Sequence, residues 1–101
     1  MAYETSSIDA TLSAAAGANP QLQAELKAAF LDSVERQIDL MSRARCDGNW
    51  QMAAMRLRAI AASFHADELI ELANEATNGA PGDPRIITTI KGFANELRNP
   101  V

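Results

Sequence analysis

The sequence holds very few of the residues from which chemistry is usually assembled: one cysteine, one histidine, one tryptophan and one tyrosine in 101 residues. A lone thiol, Cys46, excludes an internal disulfide and a cysteine-rich zinc site, and it is expected to be a small, partly buried residue in a turn. With His65 as the single imidazole and the carboxylates scattered, no catalytic triad or metal cluster can be put together, and there is no glycine-rich phosphate loop. The expectation is a protein without cofactor or metal, and not an enzyme. Long apolar runs are also missing. None approaches the ~20 residues that span a bilayer, and the start, MAYETSSIDA, has neither the basic nor the apolar part of a secretion signal, so a cytoplasmic protein without membrane contact is expected. Basic runs stop at Arg43-Ala44-Arg45 and Arg56-Leu57-Arg58 within a net charge of -4. That balance argues against a nucleic-acid partner.

What is present is alanine and an amphipathic rhythm. Residues that favour strands are sparse, hydrophobic residues make up 48% of the chain, and the length suits one core, which predicts a single all-α domain.

Taken in order, residues 1–5 are expected to be loose, with Ser6 or Ser7 capping a short helix that ends at Gly17 and covers one end of the domain. Asn19-Pro20 is a cap-plus-proline start for a long helix with an inward stripe of Leu22, Leu26, Phe30, Val34, Ile38 and Met41. Asp32 with Arg36 and Asp39 with Arg43 have i,i+4 spacing on its solvent side. Gly48 is read as a left-handed break and Asn49 as the next cap, with a central helix from Trp50 to about Phe64. Asp67 is expected to cap a helix with Leu69, Leu72, Ala73 and Ala76 inward and Glu68, Glu71 and Glu75 as a solvated acidic face. Those glutamates lack the histidines that would make a metal site of them. After the loop from Asn78 to Gly82, Asp83-Pro84 opens a last helix with Ile86, Ile90, Phe93 and Leu97 inward, where Gly92 is read as a close helix contact. Short connections between four such helices predict an antiparallel up-down four-helix bundle over about residues 19–98, with a short extra N-terminal helix.

The central helix organises this arrangement. Trp50, Ala53, Leu57, Ile60 and Phe64 form its core seam, while Gln51, Met52, Met55, Arg58, Ala59 and Ala62 form an opposite face that is weakly charged and rich in small residues and methionine. Such a face suits an adaptable partner contact.

In Trp50, Ala53, Ala54, Leu57, Arg58, Ala59, Phe64, His65, Ala66 and Leu69 the chain resembles the histidine-phosphotransfer domains of bacterial phosphorelays. Their pattern is Ala, His, any residue, Leu, Lys, Gly, followed about six residues later by an aromatic or Leu, then Gly-Ala and a Leu. The similarity extends in helix order from Asn19 to Leu97, and the family fold is the same bundle. Aligned on Leu57, Met55 falls at the phosphorylated histidine, Arg58 at the family lysine, Ala59 at the small glycine, and His65 at the glycine of the helix exit. A methionine has no nitrogen to accept a phosphoryl group. The resemblance therefore implies a monomeric, non-catalytic adaptor that binds a response-regulator receiver domain or a histidine kinase through Gln51, Met52, Met55, Arg58, Ala59 and Ala62. His65 is expected to close its helix in a left-handed conformation. Alternatives are a phosphotransferase using the displaced His65, or a self-associating structural bundle.

Overall fold

The computed structural model describes residues 2–99, with side chains from Ile8 onward. The described residues are all-helical and contain no strand: α1 (Ala2–Ala16), α2 (Pro20–Arg43), α3 (Asp47–Ser63), α4 (Asp67–Asn78) and α5 (Pro84–Arg98). The molecule measures 44 × 20 × 19 Å. Its long axis reflects α2, whose 24 residues extend for about 36 Å at the helical rise.

Two helix starts follow directly from local chemistry. The Asn19 side chain accepts the Leu22 amide at 3.1 Å, and Pro20 takes the first helical position, where a missing N–H costs nothing. Asp83 repeats the device on the Arg85 amide at 2.9 Å with Pro84 behind it. The Arg85 guanidinium folds back on the same carboxylate at 3.2 Å. That hydrogen bond holds the Asp83 carboxyl below its ordinary range.

Other starts differ from the sequence reading. α1 begins at Ala2, so residues 2–5 are helical and Ser6 and Ser7 lie inside the helix rather than capping it. α3 begins at Asp47 behind Cys46, with no side-chain cap bond, and Gly48 and Asn49 are its first-turn residues. Cys46 is exposed rather than partly buried. α4 is preceded by Ala66, so Asp67 is the first helical residue, where its charge still favours the positive end of the helix dipole.

The helices touch in a cycle: α2 packs on α3 and α5, α3 on α4, and α4 on α5, while α1 packs on α2. Phe30, Val34, Ile38 and Met41 of α2 meet Trp50, Ala53, Ala54, Leu57 and Ala61 of α3, Leu69, Ala73 and Ala76 of α4, and Ile90, Phe93, Ala94 and Leu97 of α5 in one core. The rings of Phe30 and Phe64 stack tilted, 4.5 Å apart. The inward stripe of α2 stops short of its start, since Leu22 is exposed; Ile60 within α3 and Phe64 just past its end are half-buried, and Ala54 and Ala61 complete the seam. α1 is more than a cover. Ile8 and Leu12 are each 1% exposed, and burying an aliphatic side chain this size stabilises by about 1.5–3 kcal/mol.

Asp32 does not pair with Arg36. It meets Arg98 at 3.2 Å, and Arg98 also reaches Glu35 at 3.0 Å, tying the end of α5 to α2. Asp39 and Arg43 pair as expected at 2.8 Å. Gly92 is exposed with open space where a side chain would stand, so it marks no close helix contact.

Candidate functional site

The site is built on α3, and its position follows from how α3 is held at both ends. At the start, the Trp50 indole is buried and donates from Nε1 to the Ala76 carbonyl at 2.8 Å. The neighbouring Gln51 donates from Nε2 to the Thr77 carbonyl at 2.9 Å. Both carbonyls belong to the last turn of α4, where no further helical amide follows to satisfy them. Side chains of one helix thus cap the end of the next. The Gly79 amide satisfies Glu75 in the same turn, and a Cβ at Gly79 would meet the Glu75 oxygen at 2.9 Å, so only glycine fits there without movement.

At its far end α3 closes with paired bonds, Ala66 N–H to the Ala61 carbonyl at 2.9 Å and His65 N–H to the Ala62 carbonyl at 3.2 Å. These define a Schellman closure, which demands a left-handed residue at His65. His65 has φ 56°, the one non-glycine residue with positive φ among those described. The imidazole is exposed at this corner. It lies ten positions from Met55, about 15 Å along a helix, too far for one docked surface to centre on both.

Between these anchors, Trp50, Ala53, Ala54, Leu57 and Ala61 face the core, so the helical period turns Met52, Met55, Ala59 and Ala62 outward. Met52 is 52% and Met55 58% exposed, the two most exposed large apolar side chains among the described residues. Gly48, Gln51, Met52, Met55, Arg56 and Ala59 line one shallow depression of about 450 Å³. Gln51 is half-buried and commits one amide N–H to the Thr77 carbonyl of α4, so it borders the surface as a residue held in place by the neighbouring helix.

Arg58 and Ala62 are exposed on the same helix but outside the depression, whereas Arg56 forms part of its lining. Arg56 was missed by the sequence reading. Its position four residues after Met52 was the available signal. Among the described residues, no ion pair engages Arg56 or Arg58. The arrangement is an apolar, methionine-rich strip between two guanidinium groups, suited to an apolar contact ringed by carboxylates.

Comparison with protein families, curated proteins and solved structures returns no match.

Proposed function

We propose that this chain is a non-catalytic, histidine-phosphotransfer-like adaptor that docks the outward face of α3 on a response-regulator receiver domain or a histidine kinase. The observation that carries the reading is the exposure of Met52 and Met55 between Arg56 and Arg58, directly opposite the core seam. Met55 stands where the resemblance places the phosphoacceptor, and a thioether cannot form a stable phosphoryl linkage. Arg58 supplies the positive charge that an acidic receiver pocket would meet, and Ala59 leaves room for close approach.

In this proposal α2 to α5 run as an antiparallel up-down bundle with α1 added outside. Three pairings support it: the start of α3 against the end of α4 through Trp50 and Ala76, the end of α3 against α2 through Phe64 and Phe30, and the end of α5 against α2 through Arg98 and Asp32. A monomeric adaptor in the cytoplasm would act by mass action, occupying the surface through which phosphate-carrying partners meet.

The test is to incubate the purified protein with phosphorylated receiver domains and kinases, scoring complex formation and acid-labile phosphate on this chain. Binding without label is expected, weakened at least about tenfold by Arg58→Glu or Ala59→Trp, a loss of about 1.4 kcal/mol. Undiminished binding by both variants would remove the α3 face from the interaction. Label that disappears in His65→Gly would make the chain a phosphotransferase instead.

A further inference from the structure

We infer that the groove between the end of α2 and the start of α3 is a docking site for a short acidic segment of a partner protein that carries one bulky apolar residue. The groove encloses about 710 Å³, with Leu40 and Met52 as its apolar part and Arg43, Arg45 and Arg56 around it. That volume falls in the range of sites that take a small ligand or a few side chains, roughly 300–1,000 Å³. Leu40 is 38% exposed, so with Met52 it presents two large apolar side chains to the same opening.

Charge selects the occupant. The lining of the groove holds three arginines, Arg43, Arg45 and Arg56, and no carboxylate, in a chain of net charge -4. Arg43 is already matched by Asp39 at 2.8 Å. No ion pair among the described residues engages Arg45 or Arg56, and a guanidinium fork is well shaped to receive a carboxylate. A carboxylate on either side of an apolar anchor would satisfy both arginines while the anchor covers Leu40 and Met52. A neutral apolar segment would leave the two charges unmatched, and a basic one would be repelled.

This site overlaps the receiver-binding face at Met52 and Arg56 and is distinguished from it by Leu40 and Arg45, which lie off the outward face of α3 and line only this groove. The probe is a fluorescently labelled Glu/Asp peptide with one central Trp, titrated into the full chain and followed by anisotropy. Binding is expected that weakens with added salt, and falls at least about tenfold with Arg45→Glu and with Leu40→Ser. The same peptide with Trp replaced by Ser, or with Lys in place of the acidic residues, is expected to bind at least about tenfold more weakly. Arg58→Glu, which tests the receiver face, is expected to leave peptide binding within about twofold, a change below the thermal energy. No binding, equal binding of the Trp-free or basic peptide, or indifference to Arg45→Glu and Leu40→Ser would each overturn the assignment, whatever the outcome with receivers.

Discussion

The indole nitrogen of Trp50 donates to the backbone carbonyl of Ala76 across 26 residues of sequence, at 2.8 Å and out of reach of water. The bond satisfies a carbonyl that the end of α4 leaves open and fixes how α3 is turned about its own axis. The turn of α3 in turn decides that Met52 and Met55 face outward.

Trp50→Phe keeps most of the ring but removes the donor, leaving the Ala76 carbonyl buried and unpaired. A loss of about 1–3 kcal/mol is expected, read as a fall in the thermal midpoint of roughly 4–8 °C per kcal/mol for a domain of this size. Gln51→Ala should cost less, because the Thr77 carbonyl is only part-buried. Circular dichroism melts of the two variants compare the effects. A smaller loss for Trp50→Phe than for Gln51→Ala would mean that the indole bond is not what holds the two helices in register.

His65 sets up an ordering of variants rather than a single value. A branched side chain in left-handed backbone is strained by about 1–2 kcal/mol, whereas glycine is not. His65→Gly should therefore unfold in urea at a higher midpoint than His65→Val by a corresponding amount. Equal midpoints would show that the corner relaxes when the histidine is replaced.

Gln37 is the one polar residue buried with the apolar core of α2, and its Oε1 has no hydrogen-bond partner among the described residues. An unpaired buried amide oxygen is destabilising, while a thioether of similar length has nothing to satisfy. Gln37→Met is expected to raise stability by about 1 kcal/mol in chemical denaturation. A loss of stability would reveal that the amide is engaged.

The helix starts most legible in the sequence were those whose signals are wholly local. Asn19-Pro20 and Asp83-Pro84 each place a side-chain acceptor and a proline where the first turn uses both, so no distant contact was needed to read them. His65 was legible for a related reason, since few residue types accept a left-handed corner. Signals that depend on tertiary packing were less legible. Gly48 and Asn49 look like a break, yet helix begins at Asp47, and the amide of the buried Trp50 already bonds back to the Cys46 carbonyl at 3.2 Å. Asp32 had Arg36 one turn away, but Arg98 competes from 66 residues further along. Leu22 fits the periodic stripe of α2, though little packs against that end of the helix. On α3 the outward face was readable from spacing alone, but the arginine-lined groove was not. That groove needs α2 and α3 side by side, and its Leu40, Arg43 and Arg45 belong to a different helix and joint from Met52 and Arg56.

The tight closure at His65 also bears on the order of assembly. Only Phe64, His65 and Ala66 separate α3 from α4, and these two helices share the most extensive contact in the molecule. Closing so short a loop sacrifices little chain entropy, whereas the pairing of Arg98 with Asp32 must enclose 66 residues. The hairpin of α3 and α4 is therefore expected to form before α5 docks. In stopped-flow refolding, Ala73→Gly should slow the folding limb, while Arg98→Ala should act mainly by accelerating unfolding; the reverse pattern would place the early contacts between α2 and α5. On this ordering, the surface that carries Met52 and Met55 is set early, and α5 closes the structure behind it.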